Sequence, residues 1–199
     1  MKKTAKIAAY LLIISLLISV MPTDAEANIY EDTIRLHILA NSDSREDQEL
    51  KIAVRDGVLN EFGERLRLAG SFQAAEELCE SIIPEIKEYA EAIIKAAGYG
   101  YEVNIELGEE WYETRDYDGF SLPCGYYTSL RILIGDGDGK NWWCVMYPPL
   151  CTELASESSP ADDGLIDYTK EEMILISSGK YNIKFKILED LSRVFAKKS

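Results

Sequence analysis

Four stretches of the chain have the apolar pattern of β-strands, in which successive side chains point to opposite faces. In the first stretch, TIRLHILA, Ile34, Leu36 and Ile38 share one face, while Arg35 and His37 share the other. The remaining three are residues 101–107, 126–134 and 142–147. These patterns predict a mixed or antiparallel sheet of about four strands.

Two long stretches between the first and second strands have the period of α-helices instead. Ser44 and Asp47 resemble a capping box that begins the first helix. Ser71 can cap the second helix, which Gly98 ends. Pro84 lies inside the second helix and is expected to kink it or divide it, because proline removes a backbone hydrogen bond. The predicted fold class is α+β with two long N-terminal helices.

The two ends of the chain differ in composition from this central region. Lysines precede an apolar run over residues 7–21, and Ala25-Glu26-Ala27 has the small residues of a signal-peptidase site. Residues 1–27 are therefore read as an export signal cleaved after Ala27, with an uncleaved membrane anchor as the alternative. A globular domain over residues 28–152 and an acidic linker over residues 153–172 would follow.

The last segment, residues 173–199, is predicted to form a basic amphipathic helix. Residues 180–199 carry six lysines or arginines against two acidic residues. Five apolar residues share one helical face there: Ile187, Leu188, Leu191, Val194 and Phe195. This helix either packs on the sheet or contacts a membrane surface or a partner.

The net charge and the spacing of possible motifs argue against several classes of binding and catalytic site. The formal net charge of −14 argues against nucleic-acid binding, which depends on lysine and arginine. His37 is the single histidine, and no serine or cysteine can be assigned to it as a catalytic partner. The sequence lacks a zinc-type cysteine pair, a P-loop ending and the ligand spacing of a calcium loop. We therefore expect neither enzymatic activity nor a cofactor or metal.

Export changes the interpretation of the four cysteines, because disulfides persist outside the cytoplasm. Cys144 and Cys151 flank two prolines that turn the chain, so a short-range disulfide between them is expected. In the chain-entropy model this bridge would stabilise the fold by roughly 2.5 kcal/mol. Cys79 lies on the apolar face of the second helix and is expected to be a buried thiol. Whether Cys79 and Cys124 pair is open.

The stretch GDGDGKNWWCVMYPPLC, residues 135–151, contains a glycine-rich turn, which is expected to form a hairpin that joins two strands. The second of these strands is apolar on both faces. Either both faces are covered, or the face with Trp143 and Tyr147 is exposed as a patch that Arg35 and His37 join. In the second case Trp142 lies in the core. The patch would be a candidate partner surface, since aromatic and arginine side chains dominate interface energies.

Two long motifs in this order resemble the stage II sporulation protein R family of endospore-forming Firmicutes. They are IRLHILANSDSREDQELKIAVRD, from Ile34 to Asp56, and the stretch of residues 135–151. The likeness adds Asn41 and Asp43 to the candidate partner-binding residues, together with Arg35, His37, Trp143 and Tyr147. One departure is Pro123-Cys124-Gly125-Tyr126-Tyr127, where the family usually reads PAGEY.

The resemblance implies a function that the spacing of residues does not show. It implies a signalling protein secreted from the forespore into the space between forespore and mother cell. Its partner there would be a membrane-bound aspartic protease of the mother cell, which removes the pro-sequence of a sporulation sigma factor. A secreted cell-wall hydrolase or a carbohydrate-binding module is the alternative.

Overall fold

The computed structural model describes residues 6–7, 10–15, 24–117 and 120–148. The predicted acidic linker, the C-terminal basic helix and Cys151 lie outside the described residues. From residue 24 onward, the helices of the described part are α1 (Asp24–Glu31), α2 (Arg45–Arg67) and α3 (Phe72–Ala96). Six strands are β1 (Ile34–Leu39), β2 (Val103–Tyr112), β3 (Arg115–Tyr117), β4 (Phe120–Leu122), β5 (Gly125–Ile134) and β6 (Asn141–Tyr147).

The chain divides into two compact units. The described part of the smaller unit comprises residues 6–7, 10–15, 24–28, 111–117 and 120–125, including the short antiparallel pair β3–β4. The described part of the larger unit comprises residues 29–110 and 126–148, and it contains the first motif and residues 135–148 of the second. The candidate site lies in this larger unit.

The main sheet has four strands in the order β2-β5-β1-β6. β1 pairs with β5 in parallel and with β6 in the antiparallel direction, so the sheet is mixed. The predicted α+β class and the two long helices are confirmed. The short pair β3–β4 has no counterpart in the sequence analysis, because three residues are too few to show a strand period.

One face of the sheet forms the hydrophobic core with α2 and α3. Ile34, Leu36 and Ile38 of β1 are fully buried there. The helices contribute Val54, Val58, Phe62, Leu66, Cys79, Ile82 and Ile86. Each fully buried aliphatic side chain stabilises the fold by roughly 1.5–3 kcal/mol relative to an exposed one. The helical face predicted from the apolar period is thus the face that holds the domain together.

Local residues fix the ends and the spacing of the helices. Ser44 caps α2 and Ser71 caps α3, each accepting a backbone N–H in its first turn. A Cβ at Gly57 would collide with the side chain of Ile93, so this glycine allows α2 and α3 to approach closely. Pro84 does not divide the second helix, since α3 continues through it. The alternative, that Pro84 kinks the helix, stays a prediction. Pro84 is exposed, so water can satisfy the backbone carbonyl it leaves without a donor.

The described part of the N-terminal apolar run is helical and exposed. Ile7 and the apolar residues at positions 10–14 are each more than half exposed. Within the described residues, no helix is both long enough and apolar enough to cross a membrane. The predicted cleavage point after Ala27 falls inside α1.

Candidate functional site

The first motif forms a tight loop between β1 and α2. Ser42 and Asn41 both donate to one carboxylate oxygen of Asp47, Oδ2, over 2.6 and 2.9 Å. The Asp47 backbone N–H donates in turn to the Ser44 hydroxyl over 3.1 Å, which is the predicted cap. Gln48 closes the loop by donating to the Ser42 carbonyl over 2.9 Å. The polar residues of this motif therefore satisfy one another.

Asp47 is the centre of that arrangement. Its side chain is buried, and burial alone would raise its pKa. Hydrogen bonds from Ser42, Asn41, Tyr101 and Ser44 outweigh burial and hold the pKa of Asp47 below its ordinary value of 3.8. The carboxylate is therefore charged at neutral pH and fixes the loop at the start of α2.

The glycine-rich turn of the second motif packs directly against this loop. The Gly139 N–H donates to the Ala40 carbonyl over 2.9 Å. A Cβ at Gly139 would collide with the backbone carbonyl of Ser42, and a Cβ at Gly135 would collide with the Asn41 amide. Gly135 also has a positive φ of 58°. Glycine is required at both positions, and the two motifs form one loop–turn unit, residues 41–44 with 135–140.

Asn41 and Asp43, two predicted partner-binding residues, hold this unit together. Asn41 Oδ1 accepts the backbone N–H of Asp136 over 3.1 Å, and Asp43 Oδ1 accepts that of Lys140 over 2.7 Å. The buried Lys51 ammonium donates to the Lys140 carbonyl over 2.8 Å. The structure thus gives Asn41 and Asp43 a structural role, and their contact with a partner stays a prediction.

A polar cluster surrounds His37 on the sheet face opposite α2 and α3. His37 Nδ1 lies 2.9 and 3.0 Å from the two carboxylate oxygens of Glu110 in β2. His37 Nε2 lies 3.0 Å from Asn141 Oδ1 in β6. The imidazole ring stacks on Trp143, with 3.7 Å between the ring centroids and an interplanar angle of 18°. Through this one side chain β1 contacts both edge strands of the sheet.

The Glu110 carboxylate also contacts Ser129 and Arg131. The Ser129 hydroxyl donates to Glu110 Oε2 over 2.9 Å, and Arg131 Nε lies 3.6 Å from Oε1. Burial alone would raise the pKa of Glu110. The hydrogen bond and charge of His37, with smaller contributions from Ser129 and Arg131, hold the pKa below its ordinary value of 4.5. The predicted second strand ended at Leu107, so the sequence analysis missed Glu110.

The predicted exposed patch on this face is largely buried. Arg35 is 0% exposed and His37 4%, whereas Trp143 is half-buried. Tyr147 is 2% exposed and does not lie on this face, because a register shift between β1 and β6 pairs it with Ile34 and places it in the core on the helix-covered face. The Arg35 guanidinium lies 4.9 Å from the ring centroid of Tyr127. Exposure was the argument that placed Arg35, His37 and Tyr147 on a partner surface, and their burial removes it. Trp143 and Asn141 stay accessible at one end of this face, and Arg131 and Glu106 stay partly or fully exposed as well.

The expectation that Trp142 lies in the core is wrong. It is 37% exposed, and the Arg55 guanidinium of α2 lies 4.3 Å from its ring centroid. Trp142 points to the helix-covered face, as alternation predicts, but it lies near the start of an edge strand. The core on that face is filled instead by Cys144 and Met146.

The described cysteines are all buried. Burial raises the pKa of the Cys79 thiol to about 12, which agrees with the expected inert thiol. Within the described residues, no disulfide joins Cys79, Cys124 and Cys144 to one another. Cys151 lies outside the described residues, so its predicted bridge to Cys144 stays a prediction.

An acidic cavity opens between α3 and the sheet. Its volume is about 320 Å³, and Ile83 and Leu107 provide apolar lining. Its carboxylates are Glu76, Glu77, Glu80 and Glu109. Over the described residues, no group of three or more histidine, cysteine, aspartate or glutamate side chains is arranged to hold a metal ion. The cavity is thus a concave acidic surface without a recognisable metal centre.

Comparisons with known proteins agree with the two motifs. A family model described as stage II sporulation protein R matches residues 30–157. A curated relative, Stage II sporulation protein R of Bacillus subtilis (strain 168), is 38% identical over 123 residues, which are 62% of this chain and 55% of the relative. The match therefore spans little more than half of that relative's length. No solved structure matches the chain.

Proposed function

Because the chain belongs to the stage II sporulation protein R family, as its resemblance predicted, we propose that it is a secreted signalling protein of sporulation. Its receptor is a membrane-bound aspartic protease of the mother cell, and binding of this chain activates that protease. The activated protease then removes the pro-sequence of the mother-cell sigma factor. The observation that carries the proposal is the family match over residues 30–157, which contain the whole loop–turn unit.

The N-terminal segment supports export into the space between forespore and mother cell. Lys2, Lys3 and Lys6 precede the apolar run, as in a signal peptide. The described apolar residues of that run, Ile7 and those at positions 10–14, are exposed. Removing the run after Ala27 would therefore take away these exposed apolar side chains.

The surroundings of His37 support a messenger and not an enzyme. Both ring nitrogens contact side chains, Glu110 on one side and Asn141 on the other. Ser129 donates to Glu110 and not to His37. A general base needs a ring nitrogen directed at the proton it removes. The single histidine is therefore occupied in joining strands, and the proposal assigns it no catalytic step.

For the receptor surface we propose the accessible end of the loop–turn unit. Trp143 and Asn141 flank it on one sheet face, and Trp142 with Arg55 flanks it on the other. Aromatic and arginine side chains of this kind carry much of the binding energy at interfaces. The basic segment 173–199, outside the described residues, would add contact with the membrane surface beside the receptor.

The proposal is tested by deleting the gene in the sporulating host and following the pro-sigma factor by immunoblot. We expect the unprocessed form to accumulate and a copy expressed in the forespore to restore processing. A matched copy that lacks residues 1–27 should fail to restore it, because it stays in the forespore. Normal processing in the deletion strain would refute the proposal.

The acidic cavity is the observation that favours the alternative, a secreted cell-wall hydrolase. Glycoside hydrolysis needs two carboxyl groups that face each other across a cleft, and Glu80 and Glu109 line this one. Incubating the purified protein with peptidoglycan separates the two functions. The hydrolase would be established if the parent protein releases muropeptides and a Glu80→Gln, Glu109→Gln double variant does not. No release is expected if the protein is a messenger.

A further inference from the structure

Within the described residues, the outer edge of β2 has no neighbouring strand. β2 is the first strand in the order β2-β5-β1-β6, so β5 alone pairs with it there. The Val103 N–H points to the other side, where it donates to the Glu91 carboxylate of α3 over 3.3 Å. Backbone N–H and C=O groups alternate between the two sides of a strand, so those of Ile105, Leu107 and Glu109 also point away from β5. Such a row of unpaired groups is a template for another strand.

Gly108 leaves open space in the middle of this edge. It has no positive φ, and a Cβ at this position would meet no heavy atom of the described residues within 4 Å. Neither the backbone conformation nor the local packing therefore requires glycine here, in contrast to Gly135. Glycine weakens a strand, and within strands it often lies where another backbone approaches closely. The edge of β2 thus has room for the backbone of a further strand.

The acidic cavity lies beside the same stretch of the edge. Leu107, Gly108 and Glu109 of β2 line it, together with residues of α3. None of the four glutamates in its lining pairs with a lysine or arginine of the described residues. Its volume of about 320 Å³ is at the lower end for ligand pockets, roughly 300–1,000 Å³. The cavity can therefore hold a few long side chains, with Ile83 and Leu107 packing against their methylene groups.

We propose that the outer edge of β2 binds an extended basic segment of a partner protein. The segment adds to the sheet as a further strand and directs lysine or arginine side chains into the acidic cavity. In this kind of recognition, backbone hydrogen bonds supply affinity and pockets for alternate side chains supply specificity. Here Ile105, Leu107 and Glu109 would supply the backbone groups. Their side chains point to the helix-covered face, so the partner side chains directed to that same face approach the cavity.

Charge argues against a second copy of this chain as the partner. Pairing two β2 edges would bring Glu106 and Glu109 of one copy close to the same residues of the other, and like charges opposite each other on neighbouring strands are destabilising. The formal net charge of −14 adds to this repulsion. A basic strand reverses the sign of each of these interactions. The acidic edge therefore opposes self-pairing and selects a cationic segment.

The inference goes beyond the proposed function and does not depend on it. The receptor surface proposed above includes Asn141, Trp142 and Trp143 of β6, which lies at the opposite end of the strand order from β2. The edge of β2 is thus a second, separate binding surface. Loss of binding at one surface should leave the other intact.

Amide hydrogen exchange, followed by nuclear magnetic resonance, tests the inference on the purified chain. The probe is a synthetic peptide in which lysine and threonine alternate, blocked at both ends. We expect the N–H groups of Ile105, Leu107 and Glu109 to exchange fast in the free chain and about tenfold or more slowly when the peptide is bound. The N–H groups of Asn104 and Glu106 point to β5, so they serve as the internal control and should change little.

Two further peptides separate strand addition from simple attraction between opposite charges. One carries N-methyl groups on every lysine and the other on every threonine, so both keep the charge of the parent peptide. In an added strand, the N–H groups of one residue type face β2 and those of the other face solvent. One methylated peptide should therefore lose binding, and the other should bind like the parent peptide. Equal affinities of the two methylated peptides would overturn the proposal.

Charge reversal at the cavity gives the matched test on the protein. Glu80 and Glu109 are both exposed, so the double variant Glu80→Lys, Glu109→Lys should keep the fold and bind the peptide about tenfold more weakly. Glu46→Lys with Glu61→Lys makes the same change in net charge at exposed positions of α2 and should bind nearly like the parent chain. Equal binding by the two double variants would overturn the proposal. Slow exchange of the outward β2 amides in the free chain would do the same, because this chain or a second copy would already cover the edge.

Discussion

Removing the Asp47 carboxylate should weaken the whole first motif. Asp47→Ala deletes the acceptor for Asn41 and Ser42, at 2.9 and 2.6 Å, and for Tyr101. A hydrogen bond to a charged group contributes about 1.5–3 kcal/mol. Asn41 and Ser42 are only half-buried, so water replaces part of what they lose. We therefore expect the free energy of unfolding to fall by about 3 kcal/mol.

Urea denaturation of the parent and variant measures this loss. With a slope of about 2 kcal/mol per M, the midpoint should move down by about 1.5 M. Asp47→Asn is the matched variant, because it keeps one acceptor oxygen without the charge, and it should lose about half as much. A loss below about 1 kcal/mol in Asp47→Ala would refute the idea that this carboxylate holds the loop.

Three further predictions concern the sheet and the di-proline turn. The pKa of Glu110 lies below its ordinary value of 4.5. Its contribution to stability is therefore present above pH 4.5 and is lost as the pH falls through the lower pKa that Glu110 has in the folded state. Acid denaturation should be less steep in Glu110→Gln. Trp142→Ala should keep the fold and lose about 1–2 kcal/mol of unfolding free energy, measured by thermal unfolding. Trp143→Ala should lose more, because it removes the ring on which His37 stacks. Equal losses in the two variants would contradict this. Non-reducing peptide mapping of exported protein should recover Cys144 linked to Cys151, and two alkylated thiols there would show that the bridge does not form.

Local signals were sufficient to predict most of the larger unit. The apolar period placed α2 and α3, because each helix buries one face along its entire length. Ser44 and Ser71 marked the helix starts, since a cap is a short-range interaction. The glycine turn before β6 was recognisable for the same reason. The expectation that it closes a hairpin is wrong, because β1 lies between β5 and β6 in the sheet. The fold class followed from these elements.

Non-local contacts account for what could not be predicted. The parallel pairing of β1 with β5 joins residues about 94 positions apart, and no local pattern contains that information. Burial of Arg35 and His37 depends on partners from other strands. The exposure of Trp142 depends on β6 being an edge strand, which alternation does not reveal. Glu110 was missed because β2 extends beyond its cleanly alternating part.

Reconstitution outside sporulation tests the central claim most directly. The chain, the membrane-bound aspartic protease and its pro-sigma substrate are expressed together in a cell that does not sporulate, and processing is followed by immunoblot. We predict processed sigma factor when all three are present and none when this chain is omitted. A Trp143→Ala chain, verified as folded, should reduce processing if the receptor contacts the accessible end of the loop–turn unit. Processing without this chain, or its absence with all three proteins present, would contradict the account.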